Sequence, residues 1–181
     1  TYNQMKRLDF IQPFLWLKIK CLEMSMSLLY SFPPIADANA RILILGSMPG
    51  QASLDAGQYY AHKRNLFWPI MAELLQFDIS ASYEEKTAAL RASGIALWDV
   101  LQSCHREGSL DANIKPDTLT VNDFAGFLQQ HSQIRHIFFN GEKAAACFHR
   151  YVAKTAYPAE LICQRLPSTS PANASQTLEY K

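Results

Sequence analysis

The sequence predicts an α/β protein, a three-layer α/β/α sandwich built around a four-stranded, mainly parallel sheet. Short apolar runs recur along the chain without polar alternation, which is typical of strands buried on both faces of a parallel sheet. Most of these runs are followed by a segment with the apolar spacing of a helix. The chain has 181 residues, of which 49% are hydrophobic, and this is enough for one compact core. The predicted strands span residues 42–45, 95–98, 135–139 and 161–165.

Capping residues define the starts of the predicted helices. Asn65 is placed to cap the first helix, and Ser82 with Glu85 three residues later forms a capping-box pattern that opens the second. Thr120 is the predicted cap of the third helix. Residues 99–116, before this third helix, are predicted to form a polar loop. The predicted helices span residues 65–76, 83–93, 121–131 and 142–154.

The charge balance excludes a protein that binds nucleic acid through a large basic excess. There are 17 basic and 16 acidic side chains, so the formal net charge is only +1. Any contact with nucleic acid must therefore be local. The candidate is the tripeptide His62-Lys63-Arg64, and a solvated loop of ordinary charges is the alternative.

The four cysteines are far apart in sequence and include no C-x-x-C pair. This spacing favours neither a disulfide framework nor a zinc or iron–sulfur site, and the histidines show no metal-ligand spacing. We therefore expect reduced, mostly buried thiols in a cytoplasmic protein that holds no metal. The cysteines are Cys21, Cys104, Cys147 and Cys163.

One domain, residues 26–181, is expected to follow an N-terminal extension over residues 1–25. The apolar segment 10–32 within this region is interrupted by Pro13, Lys18, Lys20 and Glu23, so it does not have the roughly 18 to 20 apolar residues of a membrane span. No membrane association is therefore expected.

Polar and small residues follow the predicted strands, at the point where each strand ends. If the strands are parallel, these ends lie on one edge of the sheet, where open α/β sheets bind their ligands. The segment GSMPG lacks the lysine of a phosphate-binding loop and the glycine spacing of a dinucleotide site, so no cofactor is expected. The four strand ends are residues 46–50, 99, 140–141 and 168–173.

Four segments at this edge, GSMPGQASL, YYAHKRNLFW, FFNGEKA and LPSTSPAN, resemble those of a known family. Over residues 30–174 the chain is similar to the hypoxanthine DNA glycosylase branch, also described as DNA-deoxyinosine glycosylase, of the uracil DNA glycosylase superfamily. The resemblance implies a monofunctional enzyme that flips a deaminated nucleotide from double-stranded DNA and hydrolyses the bond between base and deoxyribose. It implies an abasic product, no cofactor and no obligatory protein partner.

The resemblance also implies a catalytic residue, Asn65, as the amide that orients water or the base, with simple helix capping as the alternative. Better-known branches carry an aspartate or asparagine where this chain has Met48, and uracil-removing relatives carry a histidine where it has Leu166. Met48 cannot orient water as those residues do, and Leu166 cannot stabilise the departing base as that histidine does. The chain also ends soon after its last motif, so the domain is predicted to be short at its C-terminal end.

Base recognition is expected from the residues around the first motif. Tyr60 is expected to stack on the flipped base, and Tyr59 is expected to pack in the core with Phe67 and Trp68. A carboxylate at Asp99 accepts hydrogen bonds, so it suits the N1 hydrogen of hypoxanthine, with a loop-capping aspartate as the alternative. The predicted base-binding residues are Gly46, Ser47, Met48, Pro49, Tyr60, Asp99 and Asn140.

Contact with the DNA backbone is expected from two loops. The Ser/Pro-rich loop of relatives grips phosphates and pushes into the minor groove, and hydroxyl groups can donate to phosphate. The predicted DNA-binding residues are His62, Lys63, Arg64, Ser168, Thr169, Ser170 and Pro171. Two alternatives remain open: removal of uracil from mismatches, and a DNA- or nucleotide-binding domain without catalysis.

Overall fold

A computed structural model of the chain describes residues 28–152 and 160–173. Seven strands and five α-helices form this part of the chain. The strands are β1 (Leu28–Tyr30), β2 (Ile42–Gly46), β3 (Ile95–Asp99), β4 (Leu101–His105), β5 (Thr120–Val121), β6 (His136–Asn140) and β7 (Ile162–Leu166). The helices are α1 (Gln51–Ala56), α2 (Phe67–Leu75), α3 (Tyr83–Ala92), α4 (Phe124–Gln130) and α5 (Glu142–Cys147).

A four-stranded parallel sheet in the order β3-β2-β6-β7 forms the centre of the molecule. Its register places Gly46 beside Asp99, and Asn140 beside Leu166. The carboxyl ends of all four strands therefore lie at one rim of the sheet. Helices flank the sheet, and the predicted α/β fold is confirmed. The four predicted strands agree with β2, β3, β6 and β7 to within one residue at each end.

The core lies on both faces of this sheet. Leu43, Leu45 and Ile137 have no exposed surface, as expected for strands covered on both sides. Phe67 and Trp68 of α2 are buried in the same core, as their sequence pattern predicted. In residues 28–152 and 160–173, the structure contains no helix long and apolar enough to cross a membrane.

Local side-chain hydrogen bonds explain where two of the helices begin. The Ser82 hydroxyl accepts from the Glu85 amide, and the Glu85 carboxylate accepts from the Ser82 amide, so the predicted capping box is confirmed. Asn65 Oδ1 accepts from the Phe67 amide at 2.9 Å, but the N-cap of α2 is Leu66, so Asn65 lies one residue before the cap position that was predicted for it.

A second sheet, which the sequence analysis missed, occupies part of the predicted loop 99–116. Strands β1, β4 and β5 pair antiparallel in the order β1-β4-β5. Thr120 lies in β5, so its prediction as a helix cap is wrong. Helix α4 instead begins after Asp123, whose side chain accepts from the Gly126 amide at 3.0 Å.

The remaining differences concern short helical segments. Helix α1 was not predicted, because six residues between two glycines carry too little apolar periodicity. Helix α5 continues as a π-helix over Phe148–Val152, and the predicted end at residue 154 lies outside the described residues. The predicted extension 1–25 and the chain end also lie outside them.

Gly141, which connects β6 to α5, is predicted to tolerate no side chain. Its φ of +103° is strained for any other residue, and a Cβ there would lie 2.9 Å from the Ser168 Cβ. We expect Gly141→Ala to lower the free energy of unfolding by roughly 3 kcal/mol in urea denaturation. The matched control is Gly57→Ala, which has a φ of +63° and no atom within 4 Å of its Cβ, and it should cost about 1 kcal/mol. Equal losses in the two variants would contradict the packing role of Gly141.

Candidate active site

A cavity of about 290 Å³ opens where β2, β3 and β6 end. It lies at the carboxyl edge of the parallel sheet, the place predicted for a ligand. The structure brings together here most of the residues that the sequence singled out. Those that line the cavity are Gly46, Ser47, Met48, Pro49, Tyr60, His62, Asn65, Asp99, Asn140, Ser168, Ser170 and Pro171.

Gly46 ends β2 at the floor of this cavity. The carbonyl of Gly46 accepts from the Val100 amide at 2.9 Å, which fixes the strand end against the chain that leaves β3. A Cβ on Gly46 would overlap Asp99 Oδ1 and would lie 3.0 Å from the Tyr60 hydroxyl oxygen. Glycine is therefore required here because two polar side chains lie directly over the backbone.

Asp99 is a buried carboxyl group on the cavity wall, with only 3% of its surface exposed. Its Oδ2 accepts from the Ser31 hydroxyl at 2.8 Å. Burial raises the pKa of Asp99 to about 7, the Ser31 hydrogen bond and Arg106 oppose this shift, and the nearby Asp111 adds to it. Near neutral pH the Asp99 carboxyl group is therefore populated in both its protonated and its ionised form.

Tyr60 presents its hydroxyl group to the cavity from an unusual backbone conformation. Its φ is +56°, a left-handed value that is uncommon for a bulky residue. The ring stacks on Phe67, with centroids 4.1 Å apart and planes 24° from parallel. Burial raises the pKa of Tyr60, Asp99 adds to the shift, and the Asn140 side chain opposes it. Tyr59 is buried in the core, as predicted, and its hydroxyl donates to the Phe32 carbonyl at 3.2 Å.

Asn65 lies on the cavity wall with its side-chain oxygen already engaged. That oxygen accepts from the amide of Phe67, the first residue of α2, although the N-cap position itself is Leu66. The Asn65 amide nitrogen makes no hydrogen bond with another described residue, and it is free to donate into the cavity. Nearby, His62 is exposed and accepts from the Arg64 amide at 3.2 Å, while Lys63 and Arg64 are exposed outside the cavity.

Asn140 joins the last motif to the central sheet. Its Nδ2 donates to the Thr169 hydroxyl and its Oδ1 accepts from the Thr169 amide, both at 2.8 Å. The Thr169 carbonyl in turn accepts from the Leu66 amide at 3.1 Å. Thr169 is therefore buried, at 8% exposure, and its hydroxyl group is turned to Asn140. Both residues were predicted to contact DNA or the base, and the structure places their polar groups on each other.

Among the cavity residues that the sequence analysis missed, three lie in the connection between β4 and β5. They are Ser109, Leu110 and Asp111. The Ser47 hydroxyl donates to the Asp111 carboxylate at 2.8 Å, and burial raises the pKa of Asp111. The sequence signal was the turn around Gly108 followed by hydroxyl and carboxylate side chains, but nothing local tied that turn to the first motif.

A buried arginine, also missed, holds the same connection in place. Arg106 is 5% exposed, and its guanidinium donates to the carbonyl groups of Pro49 and Gly108. These contacts tie the first motif to the loop that carries Asp111. Among the described residues, no group of three or more His, Cys, Asp or Glu side chains is arranged to hold a metal ion.

Comparison with known proteins identifies the family of the chain. A family model described as the uracil DNA glycosylase superfamily matches residues 33–181. The chain belongs to this superfamily. The protein is therefore a DNA glycosylase, and the family resemblance read from the four motifs is confirmed.

Two relatives and one solved structure show how close the similarity is. The glycosylase is 38% identical to a Methanosarcina barkeri protein over 114 residues, which cover 62% of this chain and 71% of the relative. It is 36% identical to a Methanosarcina acetivorans protein over 143 residues, covering 78% and 86%. Both relatives are named hypoxanthine DNA glycosylase. A solution NMR structure of a candidate uracil DNA glycosylase from Methanosarcina acetivorans matches with a TM-score of 0.71 and 33% identity, over 84% of this chain and 92% of that one.

The buried carboxyl group of Asp99 is predicted to make stability depend on pH. The fold raises the pKa of Asp99 from 3.8 to about 7, so the folded protein favours the protonated carboxyl group more than the unfolded chain does. The free energy of unfolding therefore falls as pH rises through this interval. An asparagine carries no charge at any pH and can keep the Ser31 hydrogen bond. We expect the free energy of unfolding of Asp99→Asn, relative to the wild type, to rise by roughly 2–3 kcal/mol between about pH 5 and about pH 8.5.

Urea denaturation at the two pH values measures this difference. Asp117→Asn, at an exposed position in a 3₁₀ turn, controls for the loss of a carboxylate. A difference between Asp99→Asn and the wild type that does not change with pH would contradict the burial argument.

Proposed function

We propose that the glycosylase removes deaminated bases, hypoxanthine first, from double-stranded DNA and leaves an abasic site. The observation that carries this proposal is the meeting of the Asp99 carboxyl, the Asn65 amide and the Tyr60 ring at one cavity of about 290 Å³. A cavity of this size cannot admit a duplex, so the nucleotide must leave the base stack. The names of the two Methanosarcina relatives support hypoxanthine as the base.

The flipped base is held by stacking and by its polar edge. Tyr60, itself stacked on Phe67, supplies a rigid aromatic face, and such stacking is worth about 1–3 kcal/mol per base. The ionised Asp99 carboxylate accepts the N1 hydrogen of hypoxanthine. Gly46, Ser47, Met48 and Pro49 close the cavity around the base.

Hydrolysis proceeds through a sugar with cation-like character, so a water molecule must be positioned on the face opposite the departing base. Asn65 is the residue we assign to this step. Because its oxygen accepts from the Phe67 amide, the side-chain amide group is held in one orientation and its nitrogen donates to the water or the base. Met48 and Leu166 carry no group that could position this water molecule.

The substrate backbone is held at the rim. Ser168, Ser170 and Pro171 of the last motif contact phosphates on one side, and His62, Lys63 and Arg64 contact them on the other. The bonds between Asn140 and Thr169 give these two residues a positioning role, because they hold the loop in place. The enzyme acts on DNA in the cytoplasm, and it requires no cofactor or protein partner.

Base preference is tested by single-turnover excision from duplexes that contain hypoxanthine or uracil. Faster release of hypoxanthine supports the proposal, and faster release of uracil selects the mismatch-specific alternative. Binding without any abasic product would select a non-catalytic DNA-binding domain.

Two variants of Asn65 are predicted to separate catalysis from helix capping. Asn65→Ala removes both functions, whereas Asn65→Asp keeps an oxygen beside the Phe67 amide and replaces the amide nitrogen with a charged carboxylate oxygen that cannot donate. We expect both to lower the single-turnover excision rate at least about 100-fold. Only Asn65→Ala should also be destabilised, by about 1 kcal/mol in urea denaturation. Full turnover in Asn65→Ala would refute the catalytic assignment.

The exposed pair Lys63 and Arg64 is predicted to contribute two phosphate contacts. Each contact releases counterions, so the double variant Lys63→Ala/Arg64→Ala should reduce the slope of log K against log salt by roughly 2 in a duplex-binding titration. Arg41→Ala is the matched control, because exposed Arg41 precedes β2 at the opposite edge of the sheet. Equal salt slopes for the wild type and the double variant would exclude the pair from the DNA interface.

A further inference from the structure

Tyr60 differs from its neighbouring tyrosines in what its hydroxyl group contacts. The Tyr59 hydroxyl donates to the Phe32 carbonyl, and the Tyr83 hydroxyl accepts from the Tyr59 amide at 3.0 Å. The Tyr60 hydroxyl is buried and, although the Asn140 side chain lies near it, it makes no hydrogen bond of regular geometry with another described residue. Buried polar groups are nearly always paired, so an unpaired one at a cavity wall needs an explanation.

The backbone holds this hydroxyl in position. Tyr60 adopts a φ of +56°, and bulky residues keep such conformations only where the surrounding structure enforces them. Stacking on Phe67 fixes the plane of the ring. The result is a hydroxyl oxygen 3.0 Å from the position that a Cβ on Gly46 would occupy.

A carboxylate oxygen lies over the same point. Asp99 Oδ1 overlaps the position of that Cβ, and it makes no hydrogen bond with another described residue, whereas Oδ2 is held by Ser31. One donor and one acceptor therefore lie side by side above Gly46, on the cavity wall. Such a pair matches a ligand that carries an acceptor beside a donor.

We propose that the Tyr60 hydroxyl donates to the carbonyl oxygen of the flipped base while Asp99 Oδ1 accepts the adjacent ring N–H. The inference rests on the proposed function, and it identifies the chemical edge by which the site distinguishes hypoxanthine and uracil from adenine and cytosine, the bases from which they form. Hypoxanthine, xanthine and uracil all carry a ring N–H beside a carbonyl group. Adenine and cytosine carry an amino group beside a bare ring nitrogen, which would leave the carboxylate facing a lone pair. Tyr60 then selects the base through its hydroxyl group at the edge of the base, and this contact takes the place of stacking of the base on its ring.

The test removes one oxygen from the enzyme and compares two bases. Tyr60→Phe keeps the ring and its stacking on Phe67, and Tyr83→Phe is the matched control because its hydroxyl lies outside the cavity. Single-turnover excision is measured on duplexes that contain hypoxanthine or unsubstituted purine, which lacks both the carbonyl oxygen and the ring N–H. We expect the hypoxanthine-to-purine rate ratio to fall at least about 10-fold in Tyr60→Phe and to change less than about 2-fold in Tyr83→Phe.

A stability measurement separates recognition from folding. Because Tyr60→Phe removes a buried hydroxyl without a partner, its melting temperature should equal or exceed that of the wild type. A rate ratio that stays unchanged in Tyr60→Phe, or a melting temperature below that of Tyr83→Phe, would overturn this inference and leave the proposed function standing. Failure of the wild type to release hypoxanthine would overturn the proposed function and this inference together.

Discussion

The structure depends on a close approach at Gly46, where the parallel pairing of β2 with β3 places the Asp99 carboxyl over a backbone without a side chain. The Tyr60 hydroxyl reaches the same point from the segment that follows α1. Any Cβ at position 46 would separate these groups and fill the cavity floor. The contribution of the first motif is therefore a glycine without a side chain, which leaves the space in which the polar groups of two other segments meet.

Hydrogen bonds between loops hold the rest of the site around this point. Asn140 and Thr169 join the last motif to β6, and Thr169 also holds the backbone of Leu66 next to Asn65. Ser47 and Asp111 join the first motif to the β4–β5 connection. Because these hydrogen bonds are partly shielded from water, they are stronger than fully exposed ones, and they hold the loops together as one preorganised wall. Asp99 and Asp111 are the two carboxyl groups that line the cavity in the described part of the chain.

The sequence predicted the central sheet well because parallel strands buried on both faces leave an unambiguous apolar signal. It also predicted which strand ends carry the site, since parallel register follows from the alternation of strands and helices. Strand β4 was missed because its polar residues, among them Gln102 and Ser103, resemble those of a loop when its antiparallel partners are unknown. Asp111 was missed with it, because its role depends on a contact with Ser47, 64 residues away.

Other features of the site could not be read from residue types at all. A threonine in a Ser/Pro-rich loop suggests a phosphate contact. Only the fold shows that the Thr169 hydroxyl accepts a hydrogen bond from the Asn140 side chain instead. Likewise, the aromatic pair YY predicts one packed and one stacking ring, but the left-handed backbone and unpaired hydroxyl of Tyr60 are consequences of tertiary structure. Contacts between distant segments, rather than local propensities, therefore complete this active site.

The most direct test is a crystal structure of the wild-type enzyme with a duplex that contains a non-hydrolysable 2′-fluoroarabino analogue of deoxyinosine. The account predicts an extruded hypoxanthine with its N1 and O6 edge above Gly46, facing Asp99 and the Tyr60 hydroxyl, and the amide of Asn65 beside the sugar carbon. A base that stays stacked in the duplex, or one that is bound away from the carboxyl edge of the central sheet, would contradict it.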